Sequence, residues 1–210
     1  MRYGFLLGLL LPALALAQGD VGLVNLVSGD VTYAPKGGAS ARVTAFMKVR
    51  EGDRFTVPGG AQVRVVYFEG SRQESFSGPA SFVSGAQQSA VQSGAQPKVT
   101  GLPAGVPQRI ARVPELMQNA KLGGIQVRGS PPAGKRAPDG YVHEAQSTYD
   151  SLRKALPGDD ITPELFLYSA LNEYQLYDDM GPVVQEMQRK QPASEDVKAL
   201  ADWLKTRRGR

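Results

Sequence analysis

The chain's single histidine, His143, is followed by Glu144, which is how a zinc-protease motif begins. That motif needs a second histidine one helical turn further on, so that both imidazoles reach the same metal ion. Ser147 occupies that position. A Ser-His-Asp triad through His143 would need a Gly-x-Ser-x-Gly turn to expose its serine, and the sequence contains none. The sequence therefore predicts a solvent-exposed His143 without a catalytic or metal-binding role.

Three other patterns invite a chemical interpretation. Ser151 and Lys154 have the Ser-x-x-Lys spacing of penicillin-interacting enzymes, but the companion Ser-Asp-Asn and Lys-Thr-Gly motifs are missing. The acidic pairs Asp159-Asp160 and Asp178-Asp179 lack the alternating oxygen ligands of a calcium loop. Asp159-Asp160 precedes a predicted helix, whose positive end favours negative charge. With no cysteine and no phosphate-binding glycine loop, the sequence predicts no catalytic residue, no cofactor and no metal site.

Aromatic side chains of the C-terminal region are candidates for partner contact, because tryptophan and tyrosine commonly dominate interfaces. Phe166, Tyr174 and Tyr177 recur at helical spacing and are predicted to lie in the core. Tyr168 and Trp203 lie partly off the main apolar stripes. We therefore expect any partner contact at Tyr168 and Trp203.

Residues 1–17 have the layout of a secretory signal: Arg2, an apolar run, and the small-x-small site Ala15-Leu16-Ala17. Pro12 interrupts the run before it reaches the roughly 20 residues needed to cross a bilayer. We expect cleavage after Ala17 and a periplasmic or secreted mature protein. No later stretch is long and apolar enough to span a membrane, and without cysteine a lipoprotein anchor is not expected.

Residues 18–96 are predicted to form a β domain of short, alternating strands broken by glycine turns, as at Gly52 and Gly70. Tight turns favour glycine because they demand a positive φ. The run 63–68 has apolar side chains on both of its faces, which predicts that other parts of the chain cover both sides. Alternation places Val63, Val65 and Tyr67 on one face, and Arg64, Val66 and Phe68 on the other.

The order of these strands and turns resembles that of the FecR-type extracytoplasmic domain. Glu69 is a departure, because the family usually has aspartate before this Gly-Ser turn. The matching blocks cover about a third of the mature chain: residues 21–24, Val27-Ser28-Gly29-Asp30-Val31, Glu51-Gly52-Asp53-Arg54-Phe55, residues 63–68 followed by Glu69-Gly70-Ser71, and Gly78-Pro79-Ala80-Ser81.

This resemblance implies a compact β domain, which in the best-known family members lies in the periplasm and relays a receptor's signal to a cytoplasmic sigma factor. Those regulators carry a cytoplasmic anti-sigma segment and a membrane helix ahead of the domain. Here a predicted signal peptide stands in that place. The resemblance therefore implies the exported module alone, without the anti-sigma role.

Residues 97–140 are predicted to be a Pro/Gly-rich linker, with a short helix after Pro114 and a returning strand near 124–128. The positive charge of the chain concentrates in this segment, which holds seven lysines and arginines against two acidic residues. Scattered cations among prolines and glycines are typical of a solvated strap, and export makes a nucleic-acid partner unexpected.

Residues 141–210 change to helical periodicity and are predicted to form a small helical domain. Thr162 is expected to cap one helix and Ser194 another, with a break near Gly181-Pro182. The region resembles one tetratricopeptide-type hairpin followed by a capping helix, although Tyr168 and Met180 stand where that motif prefers small residues. A single hairpin does not reach independent stability, so it must pack on the helix that starts at Tyr141 or on the β domain.

The sequence as a whole predicts a mixed fold in two parts, a short-stranded all-β domain and a helical domain joined by the linker. Three functional hypotheses follow. The first is an exported, non-catalytic interaction or scaffolding module that binds another envelope protein. The second is a binder of peptidoglycan or surface polysaccharide, and the third is an enzyme with an unrecognised fold.

Overall fold

The structure, a computed structural model, describes residues 19–122 and 136–208. The strands within those ranges are β1 (Asp20–Ser28), β2 (Thr32–Ala34), β3 (Ala41–Arg42), β4 (Lys48–Arg50), β5 (Arg54–Val57), β6 (Gln62–Tyr67), β7 (Arg72–Ser77), β8 (Ala80–Ser84), β9 (Ser89–Gly94) and β10 (Lys98–Gly101). The helices are α1 (Val106–Ile110), α2 (Val113–Lys121), α3 (Tyr141–Ala155), α4 (Thr162–Glu173), α5 (Met180–Lys190) and α6 (Glu195–Arg208).

The strands form two antiparallel sheets of five strands each. Sheet A has the order β10-β7-β6-β1-β4, and sheet B has the order β3-β2-β5-β8-β9. Their inner faces share one apolar core, in which the ring of Phe76 from sheet A stacks on Phe82 from sheet B with centroids 3.9 Å apart. Phe55 continues the stack at 4.8 Å from Phe82. Residues 20–101 are therefore a β-sandwich.

The helices cover the outer face of sheet A. Leu23 and Val66 point from sheet A into a second core, which also contains apolar side chains of all six described helices. Helix α4 lies at the centre of this layer, because every residue from 162 to 171 is buried. The molecule thus has three layers, sheet B, sheet A and the helices, and the expected mixed fold of a β part and a helical part is observed.

The alternation predicted for the run 63–68 is confirmed in β6. Val63, Val65 and Tyr67 lie in the core between the sheets, whereas Val66 lies in the core under the helices. Arg64 shares the helical side and is only 6% exposed. Both faces of this central strand are covered, as its apolar pattern indicated.

The prediction of a linker over 97–140 is wrong for residues 98–121, which form a strand and two helices. Residues 98–101 pair with β7, and the following residues form α1 and α2, which pack on α4 and α6. Pro107 and Pro114 do not break these helices, because each occupies the first turn, where no intrahelical N–H bond is lost. The short helix expected after Pro114 is confirmed. The expected strand near 124–128 and the signal segment 1–17 lie outside the described residues.

Two expected helix signals are placed differently. Gly181 and Pro182 lie inside the first turn of α5, and the chain turns earlier, where Gln175 has a φ of 58°. Thr162 is the first residue of α4 and makes no side-chain cap. The cap expected at Ser194 is confirmed, since its Oγ accepts a hydrogen bond from the backbone N–H of Val197 at 3.3 Å.

The two turn glycines are required for different reasons. Gly52 has a φ of 87°, the left-handed conformation expected of a tight turn. Gly70 does not have a positive φ, so the predicted reason is wrong there. A Cβ at Gly70 would instead collide with the backbone carbonyl oxygen of Gln87. Among the described residues, no helix has the length and apolar character needed to cross a bilayer.

Candidate functional site

The side chains considered for catalysis are not brought together. His143 and Ser151 are both exposed on α3, and the Ser151 hydroxyl donates a hydrogen bond to the Ser147 carbonyl oxygen of its own helix at 2.9 Å. Asp178 is exposed and accepts a hydrogen bond from Arg208 Nε at 3.1 Å. Across residues 19–122 and 136–208, no three His, Cys, Asp or Glu side chains are arranged so that they could hold a metal ion.

Of the two aromatic residues expected at the surface, Tyr168 is only 1% exposed. That expectation is wrong because α4 is covered on all sides, and burial raises the pKa of the Tyr168 phenol. Trp203 is half-buried on α6. Its ring meets Tyr177 edge-on at 5.8 Å, and the Arg207 guanidinium lies 5.4 Å from its centroid. Tryptophan, tyrosine and arginine are the residues most enriched at the energetic centres of interfaces.

The densest group of polar side chains lies between sheet A and the helices. Asn25 Nδ2 donates to Gln73 Oε1 at 3.0 Å and to Thr162 Oγ1 at 2.5 Å. The Thr162 hydroxyl in turn donates to Gln73 Oε1 at 2.7 Å, and Gln73 Nε2 donates to Asp160 Oδ2 at 2.6 Å. All four side chains are at most 1% exposed. They join β1 and β7 to the start of α4.

Asp160 is the hub of this network. Its Oδ1 accepts a hydrogen bond from the Thr162 backbone N–H at 2.8 Å, so Asp160 satisfies the backbone donor of the first residue of α4. Arg64 Nη1 lies 3.4 Å from Oδ2. Asp159 reaches the same guanidinium at 3.6 Å but is mostly exposed. The adjacent acidic pair thus splits into a buried structural carboxylate and a surface one.

Glu164, one turn into α4, forms a second buried ionic group. Its Oε1 accepts hydrogen bonds from Lys190 Nζ at 2.9 Å and from the Tyr149 hydroxyl at 3.0 Å, with Arg153 Nε 3.5 Å away. Burial, together with the Glu164 charge, raises the pKa of Tyr149 to about 12. Both cations also donate to the Asp160 carbonyl oxygen, from Arg153 at 2.6 Å and Lys190 at 3.3 Å.

These two groups form one continuous network that we call the interlayer network: Asn25, Arg64, Gln73, Tyr149, Arg153, Asp160, Thr162, Glu164 and Lys190. Its acids and bases are paired with each other inside the protein. Removing one partner of such a pair is costly, because the other remains as an uncompensated buried charge. Two of its buried oxygens, Asn25 Oδ1 and Glu164 Oε2, have no hydrogen-bond partner among the described residues.

A third polar group fastens α1 and α3 to the end of α4. Arg109 Nη1 donates to Glu173 Oε2 at 2.6 Å and to the Tyr141 hydroxyl at 2.7 Å. The Tyr141 hydroxyl donates to the Ala170 carbonyl oxygen at 3.1 Å. Glu173 stands at the negative end of α4, and Arg109 and Arg112 supply the positive charge that this helix end favours.

The sequence predicts none of the contacts of the interlayer network. It draws attention only to Asp159-Asp160, as an acidic pair before a helix. Asn25 and Thr162 are 137 positions apart, and no periodicity or motif relates them. The one available signal was Arg64, a cation within an otherwise apolar run predicted to be covered on both faces. A buried cation requires a buried acid.

Comparison with known proteins adds no relative to this description. No family model, curated protein or solved structure matches the chain.

Proposed function

We propose that this protein is an exported, non-catalytic interaction or scaffolding module of the cell envelope that binds another envelope protein through α6. The observation that carries the proposal is the partly exposed group of Trp203, Tyr177 and Arg207, which we call the α6 aromatic surface. The ionisable groups of the interlayer network are turned inward and paired, so these groups serve the architecture of the protein.

We propose further that the β part is a FecR-type domain. The blocks that carry the resemblance fall on strands or the turns beside them: residues 27–31 span the turn from β1 to β2, residues 51–55 the turn into β5, and residues 69–71 the hairpin from β6 to β7. The signal-like segment 1–17 supports export to the periplasm or beyond. The role that we propose for this domain is contact with another envelope protein.

We also propose that α4 and α5 form a tetratricopeptide-like hairpin capped by α6. The contacts of α4 with α5 and of α5 with α6 support this order. Solenoid repeats bind ligands on a concave surface. Here α4 is buried under α1, α3 and sheet A, so that surface is already filled by the chain itself. A partner therefore has to approach from another side, and α6 packs mainly on α2 and α5.

The test is the replacement Trp203→Ala, followed by capture of partners from an envelope extract and by thermal melting. We expect capture to fall at least tenfold, since truncating an aromatic hot spot costs about 2 kcal/mol or more of binding energy. Val142→Ala is the matched control, because Val142 is a 40% exposed apolar residue on α3.

Equal capture by the Trp203→Ala protein and the wild type would refute the proposed surface. A loss of capture accompanied by a collapse of the melting temperature would assign Trp203 to the core. In that case Arg207→Gln, which leaves the rings in place, decides whether this surface binds a partner.

A further inference from the structure

The outer face of sheet B carries a row of hydroxyl groups that crosses four strands. Direct cross-strand pairs place Thr32 opposite Thr56, Thr56 opposite Ser81, and Ser81 opposite Ser93. Paired residues in antiparallel strands project from the same face. The Ser81 and Ser93 hydroxyl oxygens lie 2.8 Å apart, which agrees with this placement. Since neighbouring strands are about 4.8 Å apart, the row spans roughly 14 Å.

Two arginines flank this row. Arg42 pairs with Thr32 and extends the row at the edge strand β3. Arg54 lies in the adjacent row, opposite Ala34 and Val83. Arg42 forms an exposed ion pair with Asp30 at 2.6 Å, of a kind that contributes little and is readily exchanged. Within the described parts of the chain, Arg54 is exposed and makes no ion pair.

The chemistry of this face favours a saccharide over a protein. Protein interfaces are enriched in aromatic residues and depleted of serine and alanine. The hydroxyl row presents only threonine and serine, and the adjacent row presents Ala34, Arg54 and Val83, with no aromatic ring in either row. Each hydroxyl both donates and accepts hydrogen bonds, as sugar hydroxyls do. The guanidinium groups can bind carboxylates in a two-pronged geometry. Small-molecule sites are concave, whereas this row crosses four neighbouring strands of one sheet, so it suits an extended polymer.

We infer that the outer face of sheet B binds an acidic, carboxylate-bearing polysaccharide through Thr32, Thr56, Ser81 and Ser93, with Arg54 and Arg42 pairing with its carboxylates. This function goes beyond protein binding at α6 and does not depend on it. Sheet B and the helices are the two outside layers, with sheet A between them, so the two surfaces lie on different sides of the molecule.

The experiment measures binding of the full mature chain to immobilised polygalacturonate, with dextran as a neutral polysaccharide and poly-glutamate as a polyanion without hydroxyls. Thr56→Val keeps the shape and strand preference of the side chain but removes its hydroxyl. We expect Thr56→Val and Arg54→Gln each to weaken polygalacturonate binding about threefold to tenfold, the range for one lost hydrogen bond or exposed ion pair in a contact.

Two variants with the same chemical changes elsewhere serve as controls. Thr100→Val alters β10 of sheet A, and Arg189→Gln alters the exposed surface of α5. Both should bind polygalacturonate as the wild type does. Raising the ionic strength from about 0.05 M to about 0.5 M should weaken the Arg54-dependent part, because exposed charges are screened.

Three results would overturn the inference. The first is unchanged polygalacturonate binding by Thr56→Val and Arg54→Gln. The second is equally tight binding of poly-glutamate, which would reduce the contact to charge alone. The third is equally tight binding of dextran, which would remove the role assigned to the arginines. Because only purified polymers are present, none of these outcomes bears on protein capture through Trp203.

Discussion

The substitution Asp160→Asn, which replaces one carboxylate oxygen by an NH2 group, tests the contribution of the interlayer network to stability. Asp160→Asn keeps the shape of the side chain but removes the charge that faces Arg64, whose side chain is 7% exposed. The amide can still accept from the Thr162 N–H, but its NH2 group then faces the Gln73 NH2 group, which now donates to Oδ2. Turning the Gln73 amide round would break its bond with Asn25. The substitution therefore leaves Arg64 without its buried counter-charge and leaves one buried donor unsatisfied.

The expected loss follows from these contacts. Removing one partner of a buried ion pair costs about 3 to 5 kcal/mol of unfolding free energy. Asp159 remains 3.6 Å from the same guanidinium, so we expect the lower end, about 3 kcal/mol. For a protein of this size that corresponds to a melting temperature lower by roughly 6 to 12 °C. Such a loss is a large part of a typical total stability of about 5 to 15 kcal/mol.

The assay is urea unfolding followed by circular dichroism, with the free energy of unfolding obtained by linear extrapolation. Asp159→Asn is the matched control, because it removes an exposed carboxylate from the same arginine and should cost less than about 1 kcal/mol. In an Arg64→Met background, Asp160→Asn should cost less than in the wild type, since the buried charge is already gone. A loss below about 1 kcal/mol for Asp160→Asn, or equal losses for the two aspartates, would refute the reasoning.

Two further outcomes are expected. Because the pKa of Tyr149 is raised to about 12 in the folded protein, the unfolded chain releases the phenolic proton first, and the free energy of unfolding falls as the pH rises from about 10 to 12. In urea titrations, Tyr149→Phe should show a smaller fall over that pH range. A fall identical to that of the wild type would contradict this prediction. His143→Ala and Ser151→Ala, both at exposed positions on α3, should each change the free energy of unfolding by less than about 0.5 kcal/mol and leave partner capture intact. If either substitution abolished biological activity in a protein that still folds, the enzyme hypothesis would be reopened.

The sequence was most informative where structure is local. Alternation in the run 63–68 predicted both the strand and its cover on two sides, and helical periodicity predicted the buried stripe of α6, with Val197, Leu200, Ala201 and Leu204 all buried. These patterns report which face of an element meets a core. They do not report which element supplies that core, and the pattern of β6 does not indicate that helices cover its outer face.

Errors arose where long-range contacts override local composition. The prolines of the segment 97–122 suggested a linker, yet Leu102, Val106, Ile110 and Val113 are all buried in the core of the helical layer. Tyr168 was expected at the surface because it lies off the main stripe of α4. An apolar stripe distinguishes buried from exposed positions only in a helix that has one exposed face. Because α4 is buried on all sides, its stripe does not show which residues are exposed. Thr162 was expected to cap α4, but its hydroxyl is used by Asn25 and Gln73 across the layers.

The three-layer arrangement determines where the two proposed surfaces can lie. A single helical hairpin needs support, and α4 obtains it from sheet A through the interlayer network. That support buries the surfaces a ligand would otherwise use on α4 and on the outer face of sheet A. Within the described residues, the two surfaces that we propose for recognition lie on the outside layers, the α6 aromatic surface on one and the hydroxyl row of sheet B on the other. On the two proposals made above, the molecule would link an envelope protein to a polysaccharide, and the interlayer network would join the layers that carry the two surfaces.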